Sequence, residues 1–381
     1  MWVIQQKLLK NFNMKIPFVD LKSQYLSIKN DIDSSLSKDL ENASFIGGSN
    51  VENFEKNFSK MNDSKYCISV ANGTDSLFII MKMLNIGKGD EVITVSNSWI
   101  STSETISLTG AKPVFVDIHP DYYTIDVNIL ESKINKNTKL IVPVHLYGQP
   151  CDMDAITRIS NKYNIPFIED CAQSHFASYN NQLVGTFGIA SSFSFYPGKN
   201  LGAYGDAGCI LTQNLNLANS FRMFARHGAL VKHNHLIEGI NSRMDSIQAS
   251  ILNVKLKYIS SWTESRIKNA QLYDKLLENV GDVITPKKMK NVKHVYHLYV
   301  IRTKKRNKLI DFLKKKEIQT AIHYPTALPN LKAYAYLGYN KNDFPVSSSY
   351  QDEIISLPMY AELNIEKIEY VVEMITKFFK N

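Results

Sequence analysis

Cysteine is scarce in this chain, with four residues in 381, at Cys67, Cys151, Cys171 and Cys209. They are too widely spaced for a CxxC pair or a metal knuckle, which excludes a disulfide-framed secreted domain and a structural zinc site. Free, mainly buried thiols of a reducing cytoplasm are expected, and no metal. His233 and His235 lie in Lys232-His233-Asn234-His235 without a cysteine or carboxylate cluster, so that stretch reads as a polar loop. No apolar run reaches the length of a membrane span. Residues 1–13 hold Trp2, Val3, Ile4, Leu8 and Leu9, but polar residues break the run too soon for a secretory core. Basic runs interleaved with aromatics are also missing, so nucleic acid is not the expected partner. The formal net charge of +8 is scattered through helical stretches and suits an anionic small-molecule substrate. Internal repeats, low-complexity tracts and Pro/Gly-rich linkers are absent too.

What is present is an ordinary 44% hydrophobic composition, on a chain long enough for a large core and more than one lobe. Strand-like runs fall at 66–70, 91–96, 112–117, 140–145, 166–170, 191–195 and 208–212. Helical patterns such as 153–163 separate them at intervals of roughly 20 to 30 residues, the rhythm of an α/β fold with a mainly parallel sheet covered on both faces. Ligands collect at the carboxyl ends of such strands, where Trp99 and Asp170 fall. From about 245 an amphipathic region leads through Trp262 into a smaller lobe with a strand near 295–302. The expected units are a large domain over 14–250 and a smaller one over 251–381.

Two residues at strand ends carry the chemistry: Asp170, closing Ile165-Pro166-Phe167-Ile168-Glu169-Asp170, and Lys199, closing Ser192-Phe193-Ser194-Phe195-Tyr196-Pro197-Gly198-Lys199. A carboxylate for a pyridine nitrogen and an amine for a Schiff base are what a protein supplies to pyridoxal 5'-phosphate. The ionised carboxylate keeps the ring nitrogen protonated and the ring electron-poor. The lysine holds the cofactor, is displaced by the incoming amine and then shuttles the proton. Alone, the aspartate also fits a helix cap and the lysine an exposed turn.

A phosphate site is expected upstream, in Val70-Ala71-Asn72-Gly73-Thr74-Asp75-Ser76-Leu77. Gly73, Thr74 and Asp75 open a helix there, so their amides and the Thr74 hydroxyl suit a dianion, although an ordinary N-cap fits as well. Ser194 adds a second hydroxyl. Trp99 follows a strand where an indole can stack on the pyridine ring or simply half-bury in a core.

Together these residues carry a family resemblance. Phe45-Ile46-Gly47-Gly48, Asn72-Gly73-Thr74-Asp75, Glu169-Asp170-Cys171-Ala172-Gln173, Ser194-Phe195-Tyr196-Pro197-Gly198-Lys199-Asn200-Leu201-Gly202 and Asn241-Ser242-Arg243-Met244-Asp245 occur in an order that resembles sugar-nucleotide aminotransferases of the DegT/StrS family. Ile322-His323-Tyr324-Pro325 and Ser356-Leu357-Pro358-Met359 continue it, so the likeness runs from about Ile16 to the C-terminus. The resemblance implies a fold type I pyridoxal-phosphate enzyme. It implies Lys199 as the attachment lysine, Asp170 as the ring-nitrogen partner and Gln173 beside the phenolic oxygen. Gly73, Thr74 and Ser194 are implied phosphate ligands, Trp99 the stacking aromatic. Asn241 is similar to an asparagine that reaches the neighbouring subunit's phosphate, which implies a homodimer with shared sites. Met14 is then a possible biological start, with 1–13 a non-catalytic extension.

The stretch from Tyr196 to Gly208 is similar to enzymes that aminate C3 of dTDP-linked 3-keto-6-deoxyhexoses. Relatives acting at C4 carry His-Pro before the lysine and Thr-Gly-Glu after it, and this chain has neither. The resemblance therefore implies L-glutamate as donor, a pyridoxamine 5'-phosphate form between half-reactions, and a dTDP-3-amino-3,6-dideoxyhexose product. Residues flanking the lysine line the face that the ketone approaches, which makes Tyr196 a substrate-facing candidate. His323 and Tyr324 fit either sugar or nucleotide contact or packing of the smaller lobe. His175 fits either contact with the ketosugar or a polar turn.

Overall fold

Apolar and β-branched residues concentrate in seven short strands of a computed structural model that describes residues 14–380. They are β1 (Tyr66–Val70), β2 (Glu91–Val95), β3 (Lys112–Val116), β4 (Thr138–Val142), β5 (Ile168–Asp170), β6 (Ala190–Ser194) and β7 (Gly208–Thr212). The extension expected at 1–13 lies outside the described residues.

β3, β2 and β4 pair in parallel, with Glu91 opposite Lys112 and Thr138. Parallel bridges Ile141/Phe167 and Val144/Asp170 join β4 to β5, and β5 pairs in parallel with β6. β7 runs antiparallel to both β6 and β1. The order is thus β3-β2-β4-β5-β6-β7-β1, mainly parallel with one reversed strand. The fourth strand stops at Val142, where Pro143 removes a ladder donor.

Alternation along the strands divides the core in two. Cys67, Phe193, Cys209 and Leu211 join one buried cluster with Phe54 and Phe58, while Ile68, Val70, Ala190 and Ile210 join another with Leu77, Ile80 and Phe221. Each large apolar side chain buried there contributes roughly 1.5–3 kcal/mol.

Helices cover both faces: α1 (Leu21–Ser27), α2 (Lys29–Glu41), α3 (Ser49–Met61), α4 (Gly73–Met83), α5 (Ser101–Leu108), α6 (Met153–Tyr163), α7 (Leu215–Phe224) and α8 (Ser246–Leu256). α6 shows why these segments are helical. Met153, Ile156 and Ile159 recur on one buried face, the Asp152 carboxylate accepts the Ala155 N–H at 3.0 Å, and Asn164 ends the helix in the left-handed region.

Beyond it, α9 (Ile259–Leu276), α10 (Arg306–Lys315) and α11 (Ile365–Lys380) pack around the antiparallel pair β8 (Tyr299–Arg302) and β9 (Ile354–Leu357). Residue 250 falls inside α8. Near the start of the described chain, Ile16 bridges to Ile318, so this segment joins the C-terminal elements. The buried Asp117 carboxylate, just past β3, accepts the N–H groups of Ile118, Val346 and Ser347 and the Ser96 hydroxyl at 2.8–3.1 Å. Among the described residues no helix is long and apolar enough to cross a membrane.

Candidate active site

The carboxyl ends of β2, β5 and β6 converge on the N-terminus of α4. Asn72 caps that helix by accepting the Asp75 N–H at 2.8 Å, so the Asp75 amide is already used. Asp75 also receives the Ser242 hydroxyl at 2.7 Å on its carboxylate. The expected role of Asp75 as an anion ligand therefore shifts to anchoring the 241–245 segment. Gly73 lies so close to β6 that a Cβ there would sit 2.7 Å from Ser194 Cβ. The Ser192 hydroxyl reaches the Gly73 carbonyl at 3.2 Å and also pairs with Ser76, fastening the helix to the strand. Thr74 and Ser101 share a hydrogen bond of 2.7 Å across the opening. Hydroxyls of Thr74, Ser101 and Ser194 around a helix N-terminus form a donor set suited to a phosphate dianion.

Side chains alternate along β5, so Glu169 and Asp170 face opposite ways. Glu169 is fully buried and accepts the N–H groups of Gly185, Phe187 and Gly188 at 2.7–2.8 Å. His145 lies 3.1 Å from it through Nε2, while His145 Nδ1 accepts the Cys151 N–H at 3.0 Å. That pairing places the imidazole proton on Nε2. His145, Glu169 and Cys171 are close enough together to suggest a metal site, but the imidazole and the carboxylate are already engaged and burial keeps the Cys171 thiol protonated.

Asp170 accepts the Thr102 hydroxyl at 2.8 Å and the Ala172 N–H at 3.1 Å. Burial pushes its carboxyl above the ordinary range, and those two hydrogen bonds with the Lys199 charge oppose the push. Lys199 lies in the loop after β6, its N–H donated to the Tyr196 carbonyl at 2.8 Å. Burial lowers its amine to about 8 from an ordinary 10.5, with Asp170 pulling the other way. A neutral nucleophilic amine is thus accessible near neutral pH.

Gln173 bridges two walls: its carbonyl oxygen accepts the Tyr147 N–H at 2.7 Å and its amide donates to the Tyr324 hydroxyl at 2.9 Å. Tyr147, with left-handed backbone at φ 59, donates its hydroxyl to the His323 carbonyl and accepts from Asn97. Trp99, more than half exposed, lies 5.8 Å from the Tyr324 ring, and Tyr196 is as open. His323 donates to or accepts from Ser356 at 2.8 Å and stacks on Phe18. Burial lowers its imidazole to about 4 and keeps it neutral.

His175 is not part of this opening. It has no exposure and packs against Phe193 and Phe195, on the sheet face opposite Ser192 and Ser194. Burial holds it near 3, so it is a neutral core ring and its expected contact with a ketosugar is corrected. Asn241 is exposed beside the buried Ser242. Sequence reasoning missed Ser101, Thr102 and Tyr147. The hydroxyl-rich run Ser96-Asn97-Ser98-Trp99-Ile100-Ser101-Thr102-Ser103 was the available signal for the first two, whereas nothing local marked Tyr147.

A model of the DegT/DnrJ/EryC1/StrS aminotransferase family matches residues 26–376. The chain belongs to that family. It is 42% identical over 97% of its length to the whole of a pleiotropic regulatory protein of Geobacillus stearothermophilus. Over 95% of its length it is 41% identical to 99% of the dTDP-3-amino-3,6-dideoxy-alpha-D-galactopyranose transaminase of Aneurinibacillus thermoaerophilus. Identity is again 41%, over 95% of the chain and 99% of the relative, with the UDP-2-acetamido-2-deoxy-3-oxo-D-glucuronate aminotransferase of Pseudomonas aeruginosa. Among solved structures, DesV of S. venezuelae in complex with a ketimine intermediate superposes with a TM-score of 0.94 at 33% identity, over 96% of this chain and 99% of that one. NtdA of Bacillus subtilis with bound PMP gives 0.88 at 31%, over 98% and 87%. This family member is a sugar aminotransferase of fold type I that uses pyridoxal phosphate. The residues present fit that cofactor: the Gly73 cradle admits no Cβ, three hydroxyls face a helix N-terminus, and a buried carboxylate lies within reach of the lysine's field.

Proposed function

We propose that the enzyme transfers the amino group of L-glutamate to C3 of a dTDP-linked 3-keto-6-deoxyhexose, giving a dTDP-3-amino-3,6-dideoxyhexose and 2-oxoglutarate. The observation that carries this reading is the pairing of Asp170 with a lowered Lys199 amine beneath an open face flanked by Trp99 and Tyr196. Gly73, Thr74, Ser101 and Ser194 would hold the cofactor's phosphate, Trp99 its ring face, Gln173 its phenolic oxygen and Asp170 its nitrogen. When bound, the cofactor supplies an electron sink for the carbon losing or gaining the amine. Lys199 takes a proton at Nζ and returns it, a task suited to an amine near 8. Asp170 keeps a negative charge in place, steadied by Thr102 and Ala172. Tyr324, whose burial keeps its phenol protonated and whose hydroxyl accepts from Gln173, has its proton left to donate to a polar substrate, while Tyr147 braces that wall through His323 and Asn97.

Attack at C3 is favoured because the two 41%-identical relatives are named for 3-amino and 3-oxo sugars while their nucleotide bases differ. The deciding experiment incubates the protein with pyridoxal phosphate, glutamate and a panel of 3-keto and 4-keto dTDP and UDP sugars, read by mass spectrometry. Amination of the 3-keto dTDP-6-deoxyhexose is expected. Preferential amination of a 4-keto sugar overturns the position, preference for UDP overturns the base, and bound cofactor without any half-reaction points to a regulator.

The site is proposed to be completed by a second copy of the chain. Asn241 points outward beside a hairpin (229–231 and 234–235) on and just beyond which Leu230, Val231, Leu236 and Ile237 are exposed, an apolar surface suited to a two-fold contact.

A further inference from the structure

Resting on the reading of Lys199 as the cofactor's attachment point, we infer that Lys255 is a positioning residue for the loop that carries it. Lys255 projects from α8 into the interior with no exposed surface. A lysine so placed must find partners, because an unpaired buried ammonium is costly. It has two on the segment following Lys199. Its Nζ donates to the Gly202 carbonyl at 2.6 Å and lies 4.3 Å from the centre of the Tyr204 ring. About two turns earlier on the same helix, Gln248 accepts the Tyr204 N–H at 2.9 Å. α8 thus grips the loop at two points three residues and more beyond Lys199.

The loop has little freedom left to absorb a change. A Cβ on Gly202 would come 2.3 Å from the Pro197 carbonyl oxygen, so the chain folds back onto the residues just before Lys199. Ala203 returns its N–H to the Phe195 carbonyl at 2.7 Å, and Asn200 donates to the Val295 carbonyl at 3.1 Å. Glu362 supplies the opposite charge near Lys255 and Arg266; its carboxylate oxygens are buried and make no hydrogen bond among the described residues. Moving the Gly202 carbonyl therefore moves the backbone on which the reactive amine is mounted.

The test measures how fast the cofactor-free chain captures pyridoxal phosphate covalently, per folded molecule and well below the melting temperature, and titrates the visible absorption of the attached cofactor. Lys255→Met is expected to slow capture about tenfold and to move the pH midpoint of the absorption, as a displaced reacting group does. Tyr204→Leu, which removes only the partly exposed ring under the ammonium, is expected to slow it about threefold in the same direction. Unchanged capture in both variants overturns the inference, and so does slowed capture with an unmoved midpoint, which is general loosening. If Lys255→Met does not fold, Tyr204→Leu and Gln248→Leu decide alone by the same measures. Wild-type and Lys199→Ala controls separate the premises: a wild type that captures nothing, or a Lys199→Ala chain that still captures, overturns the cofactor assignment rather than the role of Lys255.

Discussion

Lys199 and Asp170 need opposite treatment from their surroundings, since one must lose a proton near neutrality and the other must stay charged. Burial does the first, and two hydrogen bonds with the lysine's field resist it for the second. The sign of the pH effect follows. The amine is protonated and inert below about 8 and neutral above it, so covalent capture of pyridoxal phosphate should rise with pH through that value and then level. Asp170→Asn removes the charge that pulls the lysine up and should move the midpoint lower, while slowing the half-reaction with glutamate as the ring becomes a poorer electron sink. A capture profile identical to wild type would remove Asp170 from this role. Lys199→Ala should stay folded and show no covalent attachment by mass spectrometry. Both residues were legible in the sequence because each follows a strand-like run, although β6 ends at Ser194 and Lys199 lies five residues beyond it, in the loop. Thr102, which holds Asp170, was not, because it sits on a different element and meets the carboxylate only through the fold.

At the scale of elements, the cradle depends on how closely α4 can approach β6. Gly73→Ala should push the two apart, since the added methyl would meet Ser194, and pyridoxal phosphate affinity should fall about tenfold in a spectroscopic titration with the fold retained. The Asp117 junction makes the complementary case. Asp117→Ala leaves the N–H groups of Val346 and Ser347 without their acceptor and should cost roughly 2–4 kcal/mol in denaturant unfolding. The strands of the large sheet were legible as short apolar runs between helical patterns. The pairing of the segment around Ile16 with Ile318 was not, because one bridge across the length of the chain leaves no local pattern. The choice between the two readings of His175 was not legible for a related reason: its distance from Gln173 in sequence is short, but the turn it sits in carries it to the far face of the sheet.

For the whole molecule, burial keeps several imidazoles neutral. His175 and His294 are held near 3 from an ordinary 6.5. An unfolded chain protonates these rings below about 6.5 and the folded one does not, so their contribution is complete above that pH and is lost progressively as pH falls toward 3. Each should subtract about 2 kcal/mol by pH 5, and the fall in melting temperature between pH 7 and 5 should shrink in His175→Phe. The proposed two-fold assembly has its own test. Mixed Lys199→Ala and Asn241→Asp chains should regain activity after subunit exchange, because hybrids gather both lesions in one site and leave the other intact. No recovery, or an active monomer, would contradict it.

The adjacency of Glu169 and Asp170 on β5 has a consequence for how this protein can change. The two carboxylates are neighbours in sequence yet answer to different halves of the molecule, one to a ring of backbone amides and the other to the reaction. The pleat alone separates them. A one-residue insertion just before β5 would present the longer acid where Lys199 expects a partner and turn Ile168 to the amides at 185–188, while a deletion would give those amides the shorter acid and leave Cys171 facing the lysine. Loops elsewhere can lengthen and shorten at small cost, but the segment leading into β5 is fixed in residue count, and natural variation in chain length should bypass it.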